Sequence, residues 1–193
     1  MITKAEYYSS WMPWRLVEMV LPAGDKRNYE AWARQGFAPV KAGAVSNVPG
    51  KRGKARLYSL SSCIGLATLW ELTRIGYKPS ACIPIVNYMV KLAQDSISQD
   101  EQSMYNEDPV LVFYEMNKGV PGELRGMTAD RQLISEWIAR PGSKEARPLA
   151  KAIEKLTNTA NGTISGFFYF EGGYVIRRIT ERYNEMKEAQ GYD

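Results

Sequence analysis

The sequence predicts a mainly α-helical protein with a small amount of β-structure, divided into two domains. Apolar residues recur at spacings of three and four over most of the 193 residues, whereas runs typical of strands are few and short. The stretch 95–108 (DSISQDEQSMYNED) is acidic and poor in apolar residues, so it marks a boundary. We therefore predict an N-terminal domain at 1–98, an acidic linker at 99–108 and a small α+β domain at 109–193.

Two helices separated by a short break open the N-terminal domain. Residues 13–20 (PWRLVEMV) begin with a proline, which a first turn tolerates, and carry apolar residues at helical spacing. Residues 21–24 (LPAG) break this helix. The second helix is predicted at 25–35, because Asp25 can cap its start and Gly36 can end it.

A basic, glycine-containing hairpin is predicted after the second helix. Residues 38–55 contain three glycines and two prolines, with Val40 and Val45 on one predicted strand and residues 55–58 on the other. A helix, a turn, a polar second helix and a basic hairpin form, in this order, the pattern of a winged helix-turn-helix. Such a fold presents its second helix and its hairpin, the wing, to nucleic acid.

Two longer helices complete the predicted N-terminal domain. Ser59 is expected to cap a helix over 60–75, and Gly76 is expected to end it. A further helix follows residues 78–80 (KPS) and runs to the linker, with Pro84 confined to its first turn.

The C-terminal domain has mixed patterning. A continuous apolar run at 110–114 and an aromatic-rich run at 164–170 predict strands, with a weaker strand at 124–127. Helices are predicted at 129–139, 146–157 and 174–190.

The last predicted helix allows two interpretations. Its apolar residues recur at spacings of three, four and three, which is typical of a coiled-coil seam that joins two copies of a chain. These residues are Ile176, Ile179, Tyr183 and Met186. The alternative is an amphipathic helix that lies on the strands at 110–114 and 167–170.

Positive charge is concentrated at the N-terminal end of the chain. Residues 1–60 hold ten Lys and Arg against four Asp and Glu, which gives a net charge of +6. The remaining residues hold fifteen against seventeen, a net charge of −2. A basic N-terminal third is expected of a domain that contacts a polyanion, although a solvated basic surface gives the same count.

The composition excludes several kinds of site. There is no histidine, which excludes histidine catalysis, and the two cysteines, Cys63 and Cys82, are too few for an all-cysteine zinc site. We predict buried thiols, no metal and no cofactor. An enzyme is not predicted, because Glu115, Asp130 and Glu171 lack a neighbouring base, nucleophile or phosphate-binding motif.

The sequence also predicts a location in the cell. No apolar run reaches the ~18 residues that a membrane-spanning helix needs. The first residues, MITKAEYYSSWMPW, lack the apolar core of a secretory signal. We therefore expect a cytoplasmic protein that does not contact a membrane.

Three short segments carry a resemblance to a known family. They are residues 34–37 (RQGF) at the end of the second helix, 56–59 (RLYS) after the hairpin, and 71–77 (ELTRIGY) with Ser80 between the next two helices. In this order and spacing they resemble the DNA-binding domain of MerR-family transcription regulators and the related excisionase-like winged helices. The resemblance covers about residues 13–98 and no named effector domain beyond them.

The chain also departs from that family. The family usually has Arg-Tyr-Tyr-Glu within the recognition helix, where this chain has Glu30-Ala31-Trp32-Ala33. The wing is longer than usual. The distal cysteine pair of the family's metal sensors has no counterpart, although Cys82 stands near the head of the corresponding long helix.

The resemblance implies a sequence-specific, nucleoid-associated regulator that binds double-stranded DNA as a homodimer, with RNA polymerase as a further expected contact. Because two half-sites require two copies, we expect 109–193 to be the dimerisation or effector domain. The recognition helix is 25–35 and the wing is 40–56. Lys26, Arg27 and Asn28 are expected to reach base edges in the major groove. The other predicted DNA contacts are Arg34 on the same helix and Lys41, Lys51, Arg52, Lys54, Arg56 and Tyr58 along the wing. Tyr58 would either bind a phosphate or pack beneath the hairpin.

Two other functions fit the same sequence. An accessory DNA-binding factor of a phage or plasmid, acting in excision or replication, would use the same winged helix to bend DNA. A small-molecule sensor would line a pocket with Tyr114, Trp137 and Phe167–Tyr169, whereas the simpler interpretation places these aromatic residues in the C-terminal core.

Overall fold

A computed structural model describes residues 7, 10–37, 40–45, 54–98, 110–117, 120–158 and 163–191. Within these residues the chain forms seven α-helices and two three-stranded sheets, so the predicted class, mainly α with a small β content, is confirmed. The elements follow in the order β1 (Met12–Pro13), α1 (Trp14–Val20), α2 (Lys26–Arg34), β2 (Val40–Val45), β3 (Lys54–Tyr58), α3 (Leu60–Arg74), α4 (Pro79–Ser98), β4 (Val110–Asn117), β5 (Val120–Thr128), α5 (Arg131–Ala139), α6 (Arg147–Asn158), β6 (Thr163–Phe170) and α7 (Gly172–Gln190).

The first two helices are short and are joined by a turn. Asp25 caps α2, since its carboxylate oxygen Oδ1 accepts a hydrogen bond from the backbone N–H of Arg27 at 2.8 Å. Gly36 follows the helix with a φ of 77°, a left-handed conformation that glycine adopts without steric cost. The local signals at both ends of α2 therefore place its bounds within one residue of the prediction.

The predicted hairpin is part of the first sheet. β2 and β3 pair antiparallel, with Val40 opposite Tyr58 and Val45 opposite Lys54, and the register shifts between these two pairs. β1 adds a third strand on the other side of β3, so the order is β1-β3-β2. β1 was not predicted, because a two-residue strand depends on its partner rather than on its own sequence.

α3 lies at the centre of the molecule. The hydroxyl of Ser59 accepts from the backbone N–H of Ser62 at 3.3 Å, and the hydroxyl of Ser62 accepts from the backbone N–H of Ser59 at 3.0 Å. This reciprocal capping box fixes the start of the helix. Residues 60–69 and Leu72 are buried, so α3 is covered on all sides, by α2, α4 and α7 among others.

The second sheet belongs to the C-terminal half. Its order is β5-β4-β6, and β4 pairs antiparallel with both neighbours. The strands predicted at 110–114 and 124–127 are longer in the structure, because the hydrogen-bonded pairing of β4 with its neighbours also includes polar residues beyond the apolar runs. α4 packs against this sheet, and the hydroxyl of Tyr88 accepts a hydrogen bond from the backbone N–H of Thr128 at 2.8 Å.

α7 packs on the N-terminal helices α1 and α3. The four predicted seam residues, Ile176, Ile179, Tyr183 and Met186, are between 1% and 4% exposed and belong to the main hydrophobic cluster. The coiled-coil prediction is therefore wrong, because the apolar stripe is already covered by the chain itself. The amphipathic alternative describes α7, although α1 and α3 are its main partners in place of the expected strands.

One hydrophobic core spans both halves of the chain. The main cluster joins Val17 and Leu66 to Val110, Phe170 and Ile179. A second, smaller cluster lies between α5 and α6 and contains the buried residues Ala129, Ile134 and Leu149. The predicted linker at 99–108 lies outside the described residues, and the division into two domains stays a prediction.

Candidate nucleic-acid interface

The first turn of α2 presents three exposed polar side chains, Lys26, Arg27 and Asn28. The ammonium of Lys26 lies 3.8 Å from a carboxylate oxygen of Glu18 and 5.5 Å from the ring centroid of Trp14. The same carboxylate accepts a hydrogen bond from the indole N–H of Trp14. Lys26 therefore has partners within the chain that a phosphate group would have to displace.

The opposite face of α2 is held in the core. Tyr29, Trp32 and Ala33 are 2%, 7% and 3% exposed. The rings of Tyr29 and Trp32 meet edge to face with centroids 5.6 Å apart. Burial raises the pKa of Tyr29 above its ordinary value, and its hydroxyl donates a hydrogen bond to the carbonyl of Pro22 at 3.2 Å. This packing fixes which face of α2 is turned outward.

Arg34 lies at the other end of the same helix. It is exposed, and its Nε is 3.4 Å from the carbonyl oxygen of Glu30 in the preceding turn. Arg27 and Arg34 are seven residues apart, so they share one stripe of the helix, roughly 10 Å from each other along its axis. The structure therefore brings Arg34 to the outward face but not to the first turn.

The predicted wing residues fall into two groups. Lys41 is in β2, and Lys54 and Arg56 are in β3, so these three positions belong to the hairpin next to α2 in the chain. Lys51 and Arg52 lie outside the described residues. The structure therefore gives the backbone position of both hairpin strands, and each strand carries basic residues.

Tyr58 does not belong to the candidate interface. Its side chain is 2% exposed, and its ring meets that of Trp14 edge to face with centroids 5.5 Å apart. Of the two predicted roles, packing beneath the hairpin describes the residue, and the phosphate contact is wrong. The buried ring anchors the end of β3 to the start of α1.

One contact near the interface was missed from the sequence. The guanidinium of Arg182 in α7 donates a hydrogen bond to the carbonyl of Leu21, in the turn between α1 and α2, at 2.8 Å. The two residues are 161 positions apart, and no local pattern links them. Only the packing of α7 on the N-terminal helices brings them together.

Among the described side chains of the predicted sensor pocket, neighbours on β6 lie on opposite faces of the sheet. Trp137 and Phe167 are in ring contact at 4.8 Å on one face of the sheet, whereas Phe168 stacks on Tyr77 at 5.1 Å on the other. Tyr169 is 55% exposed and borders an open cavity of about 160 Å³ beside α5. Nothing is described of the side chain of Tyr114. The alternation of β6 therefore separates neighbouring aromatic residues that the sequence suggested could act together.

The predicted buried thiols are confirmed. Cys63 and Cys82 are free and buried, and burial raises the pKa of Cys63 to about 12 and that of Cys82 to about 11. The described parts of the chain contain no group of three or more Cys, Asp or Glu side chains arranged to hold a metal ion.

Two of the acidic residues considered as catalytic candidates have structural contacts. The carboxylate of Asp130 accepts from the backbone N–H of Leu133 at 2.9 Å and caps α5. A carboxylate oxygen of Glu171 lies 2.8 Å from the guanidinium of Arg131. Nothing is described of the side chain of Glu115.

No family model matches the chain, and no curated protein matches it. Among the helices in the described ranges, none is both long and apolar enough to span a bilayer.

Proposed function

We propose that the chain is a sequence-specific regulator that binds double-stranded DNA through a winged helix-turn-helix, the fold that it resembles in the MerR family. The observation that supports this best is the arrangement of α2. One face of this helix is fixed in the core by Tyr29 and Trp32, while Lys26, Arg27 and Asn28 are exposed at its capped N-terminal end. Recognition helices contact base edges with residues of this end.

In this proposal the two parts of the interface have different roles. Arg27 and Asn28 enter the major groove, where guanidinium and amide groups pair with the edges of guanine and adenine. Lys26, Arg34 and the basic hairpin positions, Lys41, Lys51, Arg52, Lys54 and Arg56, contact phosphates and set the register of the protein on the duplex. In the free protein the ammonium of Lys26 pairs with the carboxylate of Glu18. On binding, a phosphate takes the place of this carboxylate, which turns away from the DNA.

We also propose that two copies bind adjacent half-sites, since one recognition helix reads only a few base pairs. The buried stripe of α7 is not available for that assembly. The dimer contact therefore involves another surface, or DNA alone brings the two copies together. A regulator of this kind acts at promoters, where RNA polymerase is its expected further partner.

The test is a binding titration with duplexes recovered by selection from a randomised library. Arg27→Ala should lower affinity for the selected duplex by about 1–3 kcal/mol and relax the sequence preference at one position. Lys26→Ala should weaken binding to all sequences alike and reduce the salt slope by about 1.

The matched control is Arg147→Ala, which removes one exposed positive charge at the start of α6, in the C-terminal half. It should leave both quantities unchanged. Equal losses from Arg27→Ala and Arg147→Ala, or an affinity that does not vary with salt, would contradict the proposal.

A further inference from the structure

The turn between α1 and α2 is held by donors from two distant parts of the chain. Backbone carbonyls at the end of a helix have no partner within that helix, so other groups must satisfy them. The carbonyl of Leu21 accepts from the guanidinium of Arg182 in α7, and the next carbonyl, that of Pro22, accepts from the hydroxyl of Tyr29 in α2. Successive carbonyls are thus bonded by the C-terminal helix and by the proposed recognition helix.

The position of Arg182 is itself fixed by its helix. Ile179 and Tyr183, on either side of it in α7, are 1% and 2% exposed in the main core. A guanidinium donates a charge-assisted hydrogen bond, which is stronger than a bond between neutral groups. A movement of α7 along or about its axis therefore displaces the donor that the Leu21 carbonyl depends on.

The turn has little freedom to adapt. A Cβ atom built on Gly24 would lie 2.8 Å from the hydroxyl oxygen of Tyr29, so the backbone of the turn already approaches that ring closely. With Tyr29 on one side and Arg182 on the other, the two bonded carbonyls define how α1 and α2 are placed relative to each other.

We propose that Arg182 is a positioning residue for DNA recognition, through which α7 controls the orientation of α2. The residue does not contact DNA itself. Its hydrogen bond sets the geometry of the turn, and the turn sets the angle at which Arg27 and Asn28 enter the groove. This inference rests on the proposed function for its DNA part, whereas the link between α7 and the turn can be tested without DNA.

The first arm of the experiment measures amide hydrogen exchange in full-length protein without DNA. Arg182→Met keeps an unbranched side chain and removes the donors. Exchange in residues 21–28 should become about tenfold faster, as expected from the loss of one charged hydrogen bond, while exchange in α3 stays unchanged. Arg182→Lys should restore part of the protection, because an ammonium can still donate to the carbonyl.

The matched control is Arg177→Met on the same helix. It removes the same charge, but the guanidinium of Arg177 lies over the ring of Tyr174, 5.9 Å from its centroid. The control should leave exchange in the turn as it is in the wild type. Unchanged exchange in the turn of Arg182→Met, or an equal increase throughout α3, would overturn the inference, because the residue would then be irrelevant to the turn or merely part of the core.

The second arm compares affinity for a library-selected duplex with affinity for a scrambled duplex of the same length. Arg182→Met should lower the ratio of the two affinities about tenfold, with the salt slope unchanged, because no phosphate contact is lost. An unchanged ratio alongside faster exchange in the turn would overturn the link to recognition. If the wild type does not distinguish the duplexes, the proposed function fails, and the exchange arm alone decides whether Arg182 holds the turn.

Discussion

Two parts of the C-terminal half are built in different ways. α7 has its apolar stripe, including Ile179 and Tyr183, in the main core against α1 and α3. The α5–α6 pair packs mainly on itself around the small cluster of Ile134 and Leu149, and Ile138 of α5 is 54% exposed. Closeness along the chain is therefore a poor guide to which elements share a core.

The difference has a consequence for function. Because α7 is part of the same core as α1, α2 and α3, its position and that of the proposed recognition helix are not independent. The α5–α6 pair, which connects β5 to β6, has fewer buried contacts and can change with less effect on the N-terminal helices. The two regions should respond differently to equivalent substitutions.

The largest expected difference comes from removing the same side chain in each cluster. Ile179→Ala should lower the free energy of unfolding by about 3–4 kcal/mol, since it creates a cavity in the main core. Ile134→Ala should cost about 2 kcal/mol, because the small cluster lies near the surface and can relax around the cavity. Urea unfolding measures both values, and equal losses would mean that the two clusters are equally well packed.

A pair of glycines extends the comparison to the backbone. A Cβ on Gly172, at the start of α7, would lie 2.7 Å from a methyl carbon of Val110 and 2.8 Å from the sulfur of Met89. Gly172→Ala should therefore destabilise the protein by about 1–3 kcal/mol through overpacking.

Gly142, between α5 and α6, is the matched position, because a Cβ built there has no neighbouring atom within 4 Å. Gly142→Ala should change the free energy of unfolding by less than about 0.5 kcal/mol. Thermal unfolding of both variants provides the measurement. A loss in Gly142→Ala as large as that in Gly172→Ala would show that the α5–α6 pair is as tightly fitted as α7.

The contrast between the two regions also separates what the sequence could predict from what it could not. The ends of α2 and α3 were predicted because Asp25, Gly36 and Ser59 act on residues within a few positions of themselves. The exposed residues of the candidate interface followed from the same helical period. The contact between Arg182 and Leu21 could not be predicted in this way.

The burial of the α7 stripe shows the same limit. The stripe formed by Ile176, Ile179, Tyr183 and Met186 looks the same in the sequence whether a second copy or the chain itself covers it. Tyr58 posed the same question, because an aromatic residue with a hydroxyl group suits a phosphate contact and a buried site equally well. Long-range packing decides such cases, and a local sequence pattern carries no information about that packing.

Alkaline pH should act on the main core. Burial raises the pKa of Cys63 from 9.0 to about 12, so the folded state keeps the thiol protonated where the unfolded state releases the proton. This contribution to stability is complete below pH 9.0 and is lost as the pH rises towards about 12. At about pH 10 the loss should be roughly 1 kcal/mol, and it should be absent from Cys63→Ala. The same alkaline dependence in both proteins would assign the effect to other groups.

Acid pH should act on the α5–α6 pair, with the smallest effect of the series. The hydroxyl of Ser143, and then the guanidinium of Arg140 at 2.9 Å, hold the pKa of Glu136 below its ordinary value of 4.5. The carboxylate therefore contributes stability that is present above pH 4.5 and is lost as the pH falls through the lower pKa of the folded state. Protection factors, which correct for the slower intrinsic exchange of amides in acid, should fall in α5 and in the following turn as the pH is lowered, while α7 keeps its protection. Glu136→Gln cannot carry this charge, so its exchange in α5 should respond less to acid than that of the wild type. If α5 and α7 lose protection together as the pH falls, the α5–α6 pair unfolds with the main core, and the two regions are not independent.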